Sequence, residues 1–211
     1  MYLPEMFQED RTEVLHGLIR THPLATLVTQ QDGVLTADHV PLLLDTHADR
    51  PDRLRGHLAA ANPLCRVAAS ELEALVIFQG PQSYVTPSWY ASKQEHGKVV
   101  PTWNYAVVHV EGTLSFHRDP SWLHVQVTDL TEHQEAPREA PWAVDDAPED
   151  FVQRQLRAIV GIEITIGRIT GKWKVSQNRS PADRDGVAHG LDATPTPGSA
   201  AMARLVRDSE R

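Results

Sequence analysis

The sequence predicts an α+β fold, a small antiparallel β-barrel with peripheral helices. Strand-forming residues dominate the first half of the 211-residue chain, and the helical signals cluster after residue 118. Strands and helices do not alternate as they would in a doubly wound parallel sheet. The single cysteine, Cys65, excludes an intramolecular disulfide and is typical of a reducing compartment.

The first half begins with one predicted helix, over residues 11–20. A capping-box pattern from Asp10 to Glu13 precedes it, apolar residues recur on one face, and the 22–23 His-Pro step ends it. The stretches that follow are rich in β-forming residues and are separated by turn signals. They predict strands over residues 24–30, 34–44, 54–58, 65–70, 74–79 and 99–117. The last of these is either one bent strand or two strands broken near Gly112.

The second half contains the other predicted helices. Asp119 followed by Pro120 is typical of a helix start, because an acid caps the first amides and proline suits the first turn. A second helix is predicted over residues 149–159, a strand over 160–176 and a last helix over 199–208. We expect the last helix to dock only lightly on the rest of the chain.

The charge of the chain is acidic overall but unevenly distributed. The net charge of -8 disfavours binding to nucleic acid and to anionic lipid. Residues 129–150 hold eight acids against Arg138 alone, whereas residues 168–179 hold four bases and no acid. A compact basic segment in an acidic protein suits a small anion such as phosphate, and a solvated strand face is the alternative.

No segment predicts export, membrane insertion or a metal site. The first residues lack a basic region followed by an apolar stretch, and the apolar runs are too short to cross a bilayer. We therefore expect a cytoplasmic protein that does not bind membranes. His39, His57 and His109 lie on separate predicted strands, and structural roles are favoured over metal binding because none forms a close pair.

Aromatic residues concentrate in two blocks, over residues 78–90 and 100–105. Five of the nine Trp and Tyr residues lie between Tyr84 and Tyr105, mixed with hydroxyl and amide groups and with prolines. Flat aromatic walls with a few fixed polar groups are what a planar heterocycle requires. A core aromatic cluster is the alternative.

A third block covers residues 171–179. It alternates along a predicted strand, which places Lys172, Lys174 and Ser176 on one side and apolar residues on the other. It ends in the hydrogen-bonding side chains of the 177–179 segment, Gln-Asn-Arg. A cationic face suits a phosphate, and the last three side chains offer donors and acceptors to a pyrimidine-like edge or a ribityl chain.

Together these blocks resemble the PaiB family of FMN-binding negative transcriptional regulators, which adopt the flavin-binding split-barrel fold. The resemblance runs through nearly the whole chain, with Thr86 where serine is more usual and Val175 where leucine is. The segments that carry it are 1–4, 38–42, 56–57, 62–63, 78–81, 86–90, 100–105, 108–109, 159–162 and 174–179.

The resemblance implies an FMN cofactor and a homodimer in which both subunits contribute to each flavin site. It also implies a split-barrel domain over residues 1–180 with a helical insertion at 119–159, followed by a C-terminal helical extension at 181–211. The residues it places at the flavin, the last four of them from either subunit, are His39, His57, Asn62, Ser88, Tyr90, Trp103, Asn104, Tyr105, Lys174, Gln177, Asn178 and Arg179.

The family implies negative regulation of transcription, but the residues argue against direct DNA binding, because the charge is acidic and no recognition helix is evident. The alternative is a flavin-dependent oxidoreductase, such as a flavin reductase or a pyridoxamine phosphate oxidase, since the same barrel serves such enzymes. Tyr90, Tyr105 and His109 are the catalytic candidates in that case. A haem-binding site and a site that keeps its shape without a ligand stay open as well.

Overall fold

A computed structural model describes residues 1–66 and 71–209. Its strands are β1 Gln8–Glu9, β2 Leu24–Gln31, β3 Val34–Pro41, β4 Leu43–Asp45, β5 Arg53–Ala59, β6 Glu71–Val85, β7 Thr102–His117 and β8 Ile159–Lys174. Its α-helices are α1 Thr12–Thr21, α2 Ser92–His96, α3 Pro120–Glu135, α4 Glu149–Leu156, α5 Pro181–Ala193 and α6 Ser199–Asp208. Single 3-10 turns cover Glu5–Phe7, Pro63–Arg66, Pro87–Trp89 and Val144–Asp146.

The strands form one open sheet rather than a closed one, in the order β3-β2-β6-β7-β8-β5-β4, with β1 pairing to β8. The registered pairs are antiparallel, for example Leu27 opposite Val76 and Gly56 opposite Ile162. The predicted combination of an antiparallel sheet and peripheral helices is confirmed.

One alternative among the strand predictions is decided and two predictions are corrected. Of the two alternatives for residues 99–117, the single strand agrees with the structure, because β7 continues through Gly112. A Cβ at Gly112 would lie 2.2 Å from the carbonyl oxygen of Thr165, so this glycine allows two strands to approach closely. The predicted strand 65–70 begins in a 3-10 turn at residues 65 and 66, and its remaining residues lie outside the described part of the chain. The predicted strand 74–79 is the middle of the much longer β6.

Contacts divide the chain into two compact units. The first unit comprises residues 1–18, 79–108 and 170–211, and the second unit comprises residues 19–78 and 109–169. The sequence ranges show that β6, β7 and β8 each contribute residues to both units.

The core of the second unit is formed by apolar side chains of its strands. Leu54, Leu58, Ile162 and Ile164 are buried on β5 and β8. Asp119 caps α3 as predicted, accepting a hydrogen bond of 2.9 Å from the amide of Trp122.

Trp122 also fixes the position of α3 in the second unit. Its indole stacks on the ring of His117 with centroids 4.2 Å apart, and a Cβ at Gly161 would lie 2.2 Å from it. A glycine is therefore required at that point of β8.

The core of the first unit includes the two C-terminal helices. Val187 and Leu191 of α5 and Met202 and Val206 of α6 are fully or almost fully buried. The expectation that the last helix docks only lightly is wrong, because its apolar face packs on α5. Its bounds, Ser199–Asp208, agree with the prediction.

No helix in the part of the chain that the structure describes is long and apolar enough to cross a membrane.

Candidate functional site

Nine of the twelve predicted flavin-binding residues lie in the first unit. They occupy the 3-10 turn after β6, the start of β7, the end of β8 and the turn that follows it. They are Ser88, Tyr90, Trp103, Asn104, Tyr105, Lys174, Gln177, Asn178 and Arg179.

Lys174 is held over the start of β7. Its Nζ donates to the hydroxyl of Thr102 and, at 3.0 Å, to the carbonyl oxygen of Trp103. Burial lowers the pKa of Lys174, and the nearby charges of Lys172 and Arg179 lower it further, against an opposing effect of Tyr105. Both hydrogen bonds go to neutral oxygens, so its positive charge is not neutralised by a carboxylate.

Lys172 is a second cation in the same unit, and its side chain is only 9% exposed. Its Nζ donates to the carbonyl oxygen of Tyr2 at 3.0 Å and lies 5.6 and 5.5 Å from the ring centroids of Tyr2 and Tyr105. Cation–π contacts of this kind stabilise an ammonium group but leave its charge in place. Within the described chain, neither Lys172 nor Lys174 forms an ion pair.

Asn104 of β7 is only 1% exposed, and it donates from Nδ2 to the hydroxyl of Ser176 at 2.8 Å. Its Oδ1 is buried and has no hydrogen-bond partner among the described residues. Ser176 has a φ of 68°, so the predicted strand alternation stops before it and its side chain turns inward. A buried acceptor without a donor is costly unless a ligand or water supplies one.

Tyr90 presents a second buried oxygen. No described residue meets hydrogen-bond geometry with it, although the side chain of Arg179 lies close enough to act on its pKa as a donor. Its ring is 2% exposed and lies 4.7 Å from the guanidinium carbon of Arg179. Burial raises the pKa of Tyr90, and the charge of Arg179 opposes that rise. The hydroxyl therefore stays protonated and keeps a donor for a hydrogen bond.

Asp183 anchors the turn that carries Arg179. It accepts hydrogen bonds from the amide of Ser92 at 2.9 Å and from its hydroxyl at 2.8 Å. Burial acts to raise the pKa of Asp183, but the hydrogen bonds from Ser92 and Ser180 outweigh it and the pKa is lowered. The carboxylate is therefore already occupied by donors at the start of α5.

The other predicted residues of the first unit are exposed or contact residues close to them in the sequence. Gln177 closes the turn, since its Oε1 accepts from the amide of Val175 at 2.7 Å and its Nε2 donates to a backbone carbonyl. Asn178 and Ser88 are exposed, and Ser88 accepts from Lys93. Trp103 is 50% exposed.

Three predicted residues lie in the second unit. His57 contacts Oε1 of Gln126 through its Nδ1 at 2.8 Å, and Asn62 donates to Asp38 at 2.8 Å. His39 is exposed on β3. These three remain predictions for the flavin site.

Two residues outside the predicted flavin set lie beside it in the structure. The sequence pattern places Lys172 on the cationic face without assigning it to the site, and it gives no sign of the contact between Tyr2 and Lys172, because the two residues are far apart in the chain. His109, a catalytic candidate, lies in the second unit, where burial lowers its pKa. In the described residues, no three His, Cys, Asp or Glu side chains come together as metal ligands.

The comparisons with known proteins agree on a family. The family model described as "Putative FMN-binding domain" matches residues 1–168. The Bacillus subtilis protein named protease synthase and sporulation protein PAI 2 is 32% identical over 208 residues, which cover 99% of this chain and 97% of that protein. The chain belongs to the PaiB family of FMN-binding proteins. An uncharacterized protein of Emericella nidulans is 34% identical to this PaiB-family chain over 243 residues, covering 99% of this chain and 97% of the relative.

Solved structures show the fold of this PaiB-family protein. The FAD and heme binding protein of Mycobacterium smegmatis superposes with a TM-score of 0.58 at 20% identity, covering 79% of this chain and 73% of that one. The flavocytochrome Anf3 of Azotobacter vinelandii gives 0.52 at 13% identity, covering 79% and 69%. The fold is the flavin-binding split barrel, as predicted.

The first unit of this PaiB-family protein offers the groups that its cofactor, FMN, requires. A phosphate needs cations that are not already neutralised, and Lys172 and Lys174 meet that condition. The ribityl chain and the ring edge need donors and acceptors, and the buried oxygens of Tyr90 and Asn104 need partners. The residues therefore fit the cofactor.

Proposed function

We propose that FMN binds in the first unit, at the cluster formed by Tyr90, Asn104, Lys172, Lys174 and Arg179. The observation that carries the proposal is that cations without an ion pair and buried oxygens without a hydrogen-bond partner occur in the same place. The two lysines lie beside each other without an ion pair in the described chain, and two buried oxygens near the same strand ends have no hydrogen-bond partner.

The electrostatics favour a dianionic ligand at this cluster. A buried or half-buried cation without a counter-ion is unfavourable. An anion that neutralises such cations therefore gains more binding free energy than it would from exposed lysines. Lys172, Lys174 and Arg179 would bind the phosphate, and Tyr90 and Asn104 would hydrogen bond to the rest of the cofactor. When bound, FMN supplies reversible one- and two-electron redox chemistry.

The role proposed for the FMN-bound protein is regulation of transcription through a protein partner. The resemblance to PaiB regulators supports it, as does the name of the Bacillus subtilis relative, which refers to sporulation. The net charge of -8 supports contact with a protein rather than with DNA. The proposal also includes a homodimer, which the resemblance to split-barrel proteins implies, and a cytoplasmic location.

The first experiment is a visible absorbance spectrum of the purified protein after FMN has been added and unbound FMN removed. We expect a retained flavin band in the wild type and a loss of at least about tenfold in FMN affinity in Lys174→Ala and Arg179→Ala, because each removes a charged contact. Lys98→Ala is the matched control, since Lys98 is exposed in the same unit. Equal affinity in all four proteins would remove the cluster from the flavin site.

A second measurement separates the regulator from the oxidoreductase. NADH or NADPH is added to the FMN-loaded protein, and bleaching of the flavin band is followed in the absence of a regulatory partner. Slow bleaching without turnover fits the regulator, whereas steady oxidation of the nucleotide with an added acceptor fits the enzyme. Light scattering of the same sample measures whether the protein is a dimer.

A further inference from the structure

The segment before β1, residues 1–7, meets Lys172 of the proposed flavin cluster twice. Gln8, the first residue of β1, lies opposite Lys172 in the antiparallel pairing with β8. Upstream of Gln8 the chain changes direction in the 3-10 turn Glu5–Phe7. Tyr2 then contacts the side chain of the same lysine, whose Nζ donates to the Tyr2 carbonyl oxygen at 3.0 Å. Both ends of the segment are therefore held at one residue of the first unit.

Tyr2 is placed by its contact with Lys172 rather than by burial of its own ring. The tyrosine is 84% exposed, whereas Lys172 is only 9% exposed, and no residue of the turn Glu5–Phe7 is buried. An exposed ring gains little from the hydrophobic effect. The contacts that the structure describes for Tyr2 are the hydrogen bond to its carbonyl oxygen and the cation–π contact, with Nζ 5.6 Å from the ring centroid. Tyr2 thus acts as a cover for the lysine.

The cover leaves Lys172 able to bind an anion. An ammonium group has three N–H donors, and the hydrogen bond to Tyr2 uses one of them. The cation–π contacts with the rings of Tyr2 and Tyr105 stabilise the charge without neutralising it. Two donors and the full charge therefore remain for a phosphate.

The cover also makes a phosphate contact stronger than one made by an exposed lysine. A lysine that is already held in place loses less side-chain entropy when an anion binds. An ammonium group that is largely removed from water also interacts more strongly with a charge beside it. Both effects depend on Tyr2 staying over Lys172, and both would slow the departure of a bound phosphate.

We infer that Tyr2 is a positioning residue of the flavin site, and that residues 1–7 form a strap that holds Lys172 on the FMN phosphate and slows FMN release. The inference rests on the proposed function and deepens it, because it assigns a residue outside the predicted flavin set to the retention of the cofactor. The strap opens when Tyr2 leaves Lys172, while the pairing of β1 with β8 is kept.

The first test compares the release of FMN from Tyr2→Ala and Tyr2→Phe of the full-length protein. The loaded protein is diluted rapidly, and free FMN is followed by its fluorescence. We expect release from Tyr2→Ala to be at least about threefold faster than from the wild type, because the cation–π contact and the cover are lost. Tyr2→Phe keeps the ring and should release FMN at the wild-type rate. Met6→Ala is the matched control, since Met6 is a 59% exposed side chain of the same strap.

Two further measurements establish whether Tyr2 acts through Lys172. In the Lys172→Met background, Tyr2→Ala should change the release rate by less than about twofold, because no ammonium group is left to position. Riboflavin lacks the phosphate, so its affinity should be the same for Tyr2→Ala and the wild type. Circular dichroism confirms that every variant is folded.

Acetylation of the FMN-free protein tests the cover without the cofactor. Mass spectrometry follows the modification of Lys172 by an amine-acetylating reagent, with the exposed Lys98 as the internal reference. Tyr2→Ala should raise the rate at Lys172 at least about fivefold, because the lysine then reacts without the strap having to open first. The rate at Lys98 should stay the same.

Unchanged acetylation of Lys172, or release of FMN from Tyr2→Ala at the wild-type rate, would overturn the inference. Tighter FMN binding by Tyr2→Ala would overturn it too, because Tyr2 would then compete with the phosphate. An equal loss of riboflavin affinity would mean that Tyr2 contacts another part of the flavin. The proposed function fails separately, if the wild type retains no FMN or if Lys174→Ala and Arg179→Ala bind it as the wild type does.

Discussion

The carboxamide of Asn104 donates to the hydroxyl of Ser176 across 2.8 Å, and both side chains are buried. Ser176 reaches this position because its backbone adopts a φ of 68°, two residues after β8 ends at Lys174. The left-handed backbone costs a serine about 1–2 kcal/mol. The hydrogen bond therefore depends on a conformation that the residue does not prefer.

Two substitutions of Ser176 separate these effects. Ser176→Ala leaves the Asn104 amide without an acceptor, and we expect the free energy of unfolding to fall by about 1–3 kcal/mol. Ser176→Gly loses the same hydrogen bond but relieves the backbone, so its loss should be about 1 kcal/mol smaller. Urea denaturation measures both, and Asn104→Ala completes a double-mutant cycle. An alanine variant as stable as the glycine variant would contradict the backbone argument.

Tyr90→Phe tests the buried hydroxyl. The ring is kept, so the contact with Arg179 is retained, and a buried polar atom without a partner is removed. We expect the FMN-free protein to be unchanged or more stable by up to about 1 kcal/mol. FMN affinity should fall by roughly tenfold, because a hydrogen bond to the cofactor is lost. Thermal denaturation and flavin titration measure the two effects, and a fall in stability with no change in affinity would assign Tyr90 a structural role.

Gly161→Ala tests the packing of the Trp122 ring against β8. The added Cβ would lie 2.2 Å from the indole ring, so the ring or the strand must move, and we expect a loss of about 1–3 kcal/mol. Gly17→Ala is the control, because an added Cβ in this α1 position meets no described atom within 4 Å. Alanine is the better helix former there, so a gain of about 0.5–1 kcal/mol is expected. Opposite signs in urea denaturation are the result that agrees with the structure.

The elements that the sequence predicts well are those with local signals. The Asp119 cap starts α3, and the turn before Ser199 starts α6, because both depend on neighbouring residues. The length of β6 was not predictable in this way, because the strand continues to Val85, well beyond the residues 74–77 that pair with β2. The tight docking of α6 on α5 depends equally on tertiary packing.

The candidate site also contains features that local sequence predicts and features that depend on tertiary packing. The alternation of residues 171–179 predicted the cationic face, and the lysines do lie in one unit. The burial of Lys172 between two tyrosine rings was not predictable, because Tyr2 is distant in sequence and no local pattern joins it to β8. The two buried oxygens without partners become visible only once side chains are packed.

Lys174→Met tests the coupling between charge and cofactor. The pKa of Lys174 is lowered by burial, so the folded chain releases this proton at a lower pH than the unfolded chain does. Between the two pKa values the unfolded chain binds more protons, and the stability of the FMN-free protein rises with pH in that window. The variant should lose this rise and should be more stable than the wild type at neutral pH.

FMN binding should show the opposite dependence. A phosphate favours the protonated lysine, so the FMN affinity of the wild type should fall as pH rises through the lowered pKa of Lys174. Lys174→Met should bind FMN at least about tenfold more weakly at neutral pH and lack that fall. Melting temperatures and flavin titrations over the same pH series measure both, with Lys98→Met as the exposed control. If FMN affinity depends on pH in the same way for wild type and Lys174→Met, the lysine charge does not contact the phosphate. Removing a titrating contact must change the slope of affinity against pH.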